Sequence, residues 1–374
     1  MSIPVLEAVL LPNEPQPAWR TPRLKVIANG QIILGAMEAE VISNNYYAAD
    51  RFRASIALGI DPWAGASFWA SESDILLDVQ FSLDGGASFV SLVQGAVDSV
   101  NIDPTLGLVR LDGRDLTSAL IEARTQETFA NRTSSEIASL LAQRHNLTPQ
   151  ITPTTTPVGR YYQSEHDRIT LSQFSCTTTE WDLLVFLARQ EGFDVYVQGQ
   201  ALHFQPAAQA TDLAVSLRPG DVIDLKLERS LTLAHDIEVV IKSWNSRQNS
   251  AFAQQARASG QGSAQGSGET PLRYVFVQPN LTPDEALKFA QQRLAELIRH
   301  ERTVRISMPG DLSLSPRSMI ALEGTETEFD QLYYVDVIER RLRQNGGFTQ
   351  FVMAKNSSPR TETTMSSASS GNTI

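Results

Sequence analysis

Between Leu24 and Leu111 apolar and polar residues alternate in short runs broken by turn residues. A period of two marks strands with one buried face. Leu24–Ala28 and Gln31–Leu34 flank Asn29-Gly30, a two-residue hairpin signal. Ala39–Ile42 and Phe52–Leu58 enclose an Asn-Asn-Tyr-Tyr turn. Ile75–Leu83 runs into Asp84-Gly85-Gly86, and Phe89–Gln94, Ala96–Ile102 and Leu108–Leu111 follow. Short strands at regular turn spacing predict a small barrel or sandwich over 23–113. Ahead of it, Pro4, Pro12, Pro15, Pro17 and Pro22 make residues 1–22 an arm barred from regular helix and from a central strand, whose apolar Val5–Leu11 either adds to a neighbour's sheet edge or packs loosely as a terminus.

The period changes over 114–206. Thr133-x-x-Glu136 precedes Ile137, Leu140 and Leu141, a capping box before one apolar helix face. Thr177-x-x-Glu180 repeats the device before Trp181, Leu184, Val185 and Ala188, and Gly192 ends that helix. Phe193, Val195 and Val197 alternate again, and Gly199 turns the chain into Leu202-His203-Phe204. Helix followed by hairpin predicts an α+β domain.

Strands return at Leu213–Leu217, Val222–Leu227 and Ile237–Trp244. Residues 246–269, rich in Gln, Ala, Ser and Gly, are expected to form a flexible loop. Thr282-Pro283-Asp284-Glu285 opens a helix whose buried stripe is Ala286, Phe289, Ala290, Leu294, Leu297 and Ile298. Thr303–Met308, Ser318–Leu322, Tyr333–Leu342 and Phe348–Ala354 close a second β region over 207–355, interrupted at 246–301. The Ser/Thr-rich tail 356–374 is expected to be disordered. The segment Gly95-Ala-Val97-Asp98-Ser-Val100 is echoed by Tyr333-Tyr-Val335-Asp336-Val-Ile338, and each precedes a glycine turn and another strand. Internal duplication and chance likeness of two hairpins both account for this echo.

The 374 residues carry 31 basic and 42 acidic side chains, a formal charge of −11. That balance speaks against sequence-specific nucleic-acid binding, which neutralises phosphates with Lys and Arg. The single cysteine, Cys176, excludes an intrachain disulfide and a thiolate cluster. The N-terminus has no basic region before its apolar stretch, and no run reaches the ~18–20 apolar residues of a membrane helix. Synthesis in the cytosol without a signal peptide or membrane span is the expectation.

Chemistry is sparse. His145, His166, His203, His235 and His300 form no zinc-hydrolase motif, and His145 and His300 are expected as helix-end cations. Glu165-His166-Asp167 is the densest polar cluster; a solvated loop and a metal or proton relay both fit it. No nucleophile elbow or phosphate loop is present, so no catalytic residue, cofactor or metal is assigned. Gly59–Trp69 places Trp63, Phe68 and Trp69 in a loop between strands. These aromatics are candidates for a subunit or tube interface; the alternative is that they plug a barrel end.

Three stretches carry a resemblance. They are Thr133–Leu147, with Glu136, Ile137, Leu141, Arg144 and His145; Thr179–Phe193, with Trp181-Asp182-Leu183-Leu184; and Val195–Phe204, with Gly199. Together with Leu111–Leu116 and Tyr162-Gln163, their order resembles the phage late control protein D family, the baseplate hub of contractile tails. It is similar also to the N-terminal module of type VI secretion spike proteins. The resemblance spans 23–355, and its specific features lie in 111–206.

The resemblance implies a mainly β fold with an α+β insert: two tube-protein-like β-barrels joined by an α+β domain. It implies a homotrimer whose six barrels adapt a hexameric tail tube to a trimeric spike. Tail tube protein, spike protein, other baseplate proteins and the tape-measure protein are the implied partners, with DNA only in transit and the virion baseplate as location. A lumen without a continuous Lys/Arg lining would suit passing DNA. The short tail without needle repeats is expected of a phage or tailocin hub with a separate spike. The alternatives are the hub of a tailocin, gene-transfer particle or secretion spike and, from another class, a cell-wall hydrolase or carbohydrate-binding β protein recruiting Glu165 and Asp167.

Overall fold

The structure, a computed structural model, describes residues 20–45, 47–59, 65–125, 127, 129, 132–155, 157–158, 179–206, 214–245, 250–258, 271–278, 281–344, 346–356 and 362–368. Most of the expected arm, Trp63, the Glu165-His166-Asp167 cluster and Cys176 lie outside these residues.

The first barrel is built from β1 (Arg23–Ala28), β2 (Gln31–Ile33), β3 (Ala36–Asn44), β4 (Arg51–Ala57), β5 (Leu76–Ser82), β6 (Val90–Asp103) and β7 (Leu108–Asp115). Their order is β3-β4-β7-β6-β5-β1-β2, all antiparallel, and β1 returns alongside β3. The hairpin between β1 and β2 is the one predicted: Asn29 and Gly30 both have positive φ, 48° and 80°. The inward residues Val26, Ala54, Ile56, Leu77, Val79, Phe81, Val109 and Leu111 are buried in one core. Gly113 is glycine because β7 crosses close to the core there. A Cβ would stand 2.3 Å from the Phe52 ring.

The α+β domain follows. It holds α2 (Thr117–Glu122), β8 (Arg132–Thr133), α3 (Ser134–Arg144), β9 (Thr148–Ile151), β10 (Pro157–Val158), α4 (Glu180–Glu191), β11 (Phe193–Gln198) and β12 (Ala201–Pro206), after the short α1 (Ala66–Ser71) of the first barrel. The Thr133/Glu136 capping box forms as predicted, with Thr133 N–H donating to Glu136 Oε2 at 2.9 Å. The second box is displaced by two residues. Thr179 caps α4 with Asp182 as its partner, while Glu180 is buried and bonded to Arg144 and His145. Thr-x-x-acid occurs twice in Thr177–Asp182, and packing of Glu180 against α3 selects the later start.

The second barrel contains β13 (Ala214–Leu217), β14 (Asp224–Arg229), β18 (Arg302–Pro309), β19 (Met319–Leu322), β20 (Leu332–Arg343) and β21 (Gly347–Asn356). Between β14 and β18 the chain leaves the barrel and builds a separate layer. β15 (Ile237–Asn245), β16 (Ser250–Ala258), β17 (Leu272–Val277) and β22 (Glu362–Ala368) form a sheet in the order β17-β15-β16-β22. Helix α5 (Pro283–Ile298) packs on it through Ala286, Ala290, Leu294 and Ile298. Its start is the predicted one, with Thr282 as cap, Pro283 next and Glu285 closing the box.

Three expectations are corrected. The excursion from the second barrel begins after Arg229, not at residue 246, because Ile237–Asn245 joins the separate sheet. Residues 250–258 of the expected loop 246–269 are strand β16, and residues 246–249 and 259–270 lie outside the description. The tail contributes β22, antiparallel to β16, where disorder was expected. Alternation identifies a strand, but nothing local says which sheet will receive it.

Candidate assembly site

The two barrels are one sheet. A thirteen-stranded array runs β14-β18-β21-β20-β3-β4-β7-β6-β5-β1-β2, with β13 and β19 branching from β20. The joint is the antiparallel ladder of β20 on β3, from Val337 opposite Asn44 to Arg343 opposite Glu38. Strand β20 can serve two neighbours on one edge because it is long and bulged. Its first residues pair with β19, the bulge falls between Val335 and Val337, and the rest pairs with β3. Bulges redirect a strand in this way.

At the bulge, buried Asp336 accepts a 2.8 Å hydrogen bond from Lys355 Nζ, and its carbonyl accepts Asn45 N–H. The echo seen in the sequence has the same geometry. Strand β6 is bulged between Val97 and Ser99, and Asp98 at that point takes a bidentate pair of 2.7 Å bonds from Arg114. Arg114 lies opposite Ala96 and Lys355 opposite Tyr334, each two residues before its aspartate. The five strands β3-β4-β7-β6-β5 and the five strands β14-β18-β21-β20-β19 thus repeat one pattern.

Across the joint, Val41, Ala39, Ile338 and Leu342 are buried, and Arg340 is buried with them. Arg340 Nε donates to Asp311 O at 3.0 Å and Gln350 Oε1 at 3.1 Å, and burial lowers its pKa to about 10. On the outer face the charges alternate in register: Arg341, Glu40, Arg53 and Asp112 lie opposite one another across four strands. Arg53 and Asp112 are 2.7 Å apart. Partial burial pushes the Glu38 carboxyl up, but hydrogen bonds from Arg341 and Arg343 outweigh it and hold the group below its ordinary value. This row is of mixed sign, not a basic lining.

Where both barrels meet the α+β domain there is a cavity of about 670 Å³, lined by Asp50, Asp115, Asp194, Tyr196, Arg317 and Arg340 among others. Arg317, at φ 79°, lays its guanidinium 3.7 Å over the Tyr196 ring, which stacks on His203 at 4.6 Å. Asp50 is pushed up to about 6 by burial, against the Asn44 N–H that bonds it at 2.8 Å. Asp115 is pushed up to about 8 by burial and then by the neighbouring Asp50, against two hydrogen bonds from Thr117. No spacing in the sequence unites these residues, since Asp50 precedes β4, Asp115 ends β7, Asp194 and Tyr196 lie on β11, His203 on β12, Arg317 before β19 and Arg340 on β20.

The aromatic candidates divide. Trp69 is only 2% exposed and fills the first barrel beside Ile56 and Leu77, so it has no surface to offer a partner. Phe68 is half-buried, edge-on to Trp69 at 4.8 Å, and Trp63 lies outside the described residues. His145 donates to or accepts from Glu180 at 2.5 Å. His300, expected as a helix-end cation, is instead held below its ordinary pKa by burial and by Lys355. Among the described residues no group of His, Cys, Asp and Glu is arranged to hold a metal ion, and no helix is long and apolar enough to cross a membrane.

The family model that matches the sequence is the Alg8 N-terminal domain, over residues 94–344, and not the late control protein D family that the sequence resembles. None of the curated proteins matches. Solved structures share the fold. A tail protein from Neisseria meningitidis MC58 aligns at TM-score 0.65 and 13% identity, covering 90% of this chain and 97% of that one. The 43 kDa tail protein of prophage MuSo2 from Shewanella oneidensis aligns at 0.65 and 16%, covering 88% and 97%. An E. coli type VI secretion component, itself similar to bacteriophage T4 tail proteins, aligns at 0.54 and 11%, covering 91% and 79%.

Proposed function

We propose that this chain, which belongs to the Alg8 N-terminal domain family and has the fold of phage tail proteins, is a structural hub of a tail baseplate. Three copies form a ring of six barrels that adapts a hexameric tail tube to a trimeric spike and lets DNA pass. The partners are the tail tube protein, the spike protein and other baseplate proteins, the tape-measure protein among them, and the location is the virion. The same reading extends to tailocins, gene-transfer particles and secretion spikes, whose hubs would share this architecture.

The single observation that carries the reading is the β20–β3 ladder. It makes two equivalent barrels one continuous sheet, which is how a chain with two copies of a unit can present six units from three copies. The row of alternating charges beside it would let DNA pass without binding, because in that row an acid lies opposite each arginine that could neutralise a phosphate. The hub role rests on fold and joint, not on the family name. The test is the mass of the purified chain by light scattering after size exclusion, alone and with the spike gene product. A threefold mass in either condition supports the hub; a monomer in both overturns it.

A further inference from the structure

We propose that neighbouring copies of this chain are joined by a strand ladder between the free edge of β6, residues 98–103, in one copy and β14 in the next. The inference rests on the ring-forming reading above and names the surfaces that would close such a ring.

The repeated five-strand pattern sets the geometry. In the second repeat, β20 beyond its bulge pairs with β21 on one edge and with β3 of the first repeat on the other. In the first repeat, β6 beyond its bulge pairs with β7, and its other edge has no strand among the described residues. The counterpart of β3 is β14, which pairs with β18 and is the terminal strand of the sheet, with no strand on its other edge among the described residues. The intrachain joint therefore has one missing equivalent, and each copy carries both halves of it, one on β6 beyond its bulge and one on the terminal strand β14. Such a head-to-tail contact closes into a ring when its rotation permits.

The register follows from the bulge. Ile338, Glu339, Arg340 and Arg341 lie opposite Ser43, Ile42, Val41 and Glu40. Their counterparts place Val100 opposite Arg229, Asn101 opposite Glu228, Ile102 opposite Leu227, and Asp103 opposite Lys226 of the next copy. Three observations fit this pairing. Val41, Ala39 and Ile338 are fully buried in the existing joint, whereas the matching Leu227, Leu225 and Val100 are only partly buried. Arg341 lies opposite Glu40 and ion-pairs with the adjacent Glu38, and at the counterpart positions Asp103 would lie opposite Lys226, with the signs exchanged. Exposed apolar residues lie at the ends of the two edges: Leu106 at 64% beyond β6, and Ile223 at 66% and Leu231 at 70% on either side of β14. Charged residues on an edge strand also keep monomers apart, and the experiment separates the two roles.

In a Cys176→Ser background, Ile102→Cys/Leu227→Cys and Asn101→Cys/Glu228→Cys are oxidised and run on a non-reducing gel. The two pairs alternate in the ladder, so one of them falls at the closer, non-hydrogen-bonded position. A disulfide needs Cα atoms about 4.4–6.8 Å apart, so covalent multimers are expected about tenfold more abundantly than from the shifted pair Ile102→Cys/Leu225→Cys. Asp103→Lys lowers the assembled fraction and Lys226→Asp added to it restores assembly. A multimer by light scattering that cross-links at neither pair, or equally at the shifted pair, overturns this joint and leaves the hub reading standing. A chain monomeric alone and with its spike overturns both.

Discussion

Asp98 and Asp336 stand at the same bulge of two equivalent hairpins, and their surroundings differ. The Asp336–Lys355 pair is 5% and 12% exposed, because β3 and Asn45 cover that edge of β20. The Asp98–Arg114 pair is 38% and 28% exposed, because no described strand covers β6 there. Local structure is thus common to both barrels, and what differs is whether a neighbouring strand has arrived. The connections show the same division. Between β3 and β4 the chain makes a short turn through Asn45–Asp50, whereas the equivalent place between β14 and β18 carries β15–β17 and α5. A sheet tolerates long excursions at its strand ends because closing a longer loop adds little entropy.

The largest effect is expected where the bulge is covered. Lys355→Met leaves the buried Asp336 carboxylate unpaired and costs about 3–5 kcal/mol in chemical denaturation. Asp98→Ala at the exposed counterpart costs about 1 kcal/mol or less. Equal losses would break the comparison.

Trp69→Ala empties the core of the first barrel and costs about 3–5 kcal/mol, with oligomer mass unchanged. Phe68→Ala, at the half-buried neighbour on α1, tests whether that residue serves as the subunit or tube contact expected from the sequence. Its expected result is a smaller stability loss accompanied by weaker assembly.

The cavity supplies a pH test. The Asp115 pKa is raised above its unfolded value to about 8, so the neutral form is favoured on folding and stability is lost as pH rises toward 8. His203 and His300, held below their ordinary value, act in the opposite sense, but their effect is complete once pH passes about 7. Between pH 7 and 8 the protein is expected to lose up to about 1.4 kcal/mol, levelling above. Asp115→Asn abolishes that slope in thermal melts; an unchanged slope would place the titration elsewhere.

Thr282→Ala, which removes the cap of α5 in the excursion, costs about 1 kcal/mol. The loss is expected to leave the barrel joint intact, measured as unchanged oligomer mass.

Much of the fold could be read along the chain. Asn29-Gly30, the Thr133 and Thr282 caps and the Gly192 helix stop are local devices whose partners lie within a few residues, so composition and spacing reveal them. The echo around Asp98 and Asp336 was also visible, because a repeat leaves its trace in the order of residue types. Burial of Trp69 was not, since an aromatic in a loop reads the same whether it faces solvent or a barrel end. The α4 start was legible to within two residues, and its exact cap depended on Glu180 reaching Arg144 and His145 on another helix.

The sequence by itself determined the elements: which stretches alternate, where helices begin, and that two β regions flank an α+β insert. Only the tertiary structure decided that β15 and β16 leave the barrel, that Asp50, Asp115 and Arg317 line one cavity, and that β20 joins β3 across nearly the whole length of the chain. The physical reason is that a strand's pattern encodes which face it buries, while its edges are backbone amides and carbonyls that are alike in every strand. Which edge meets which is settled by how the packed layers come together.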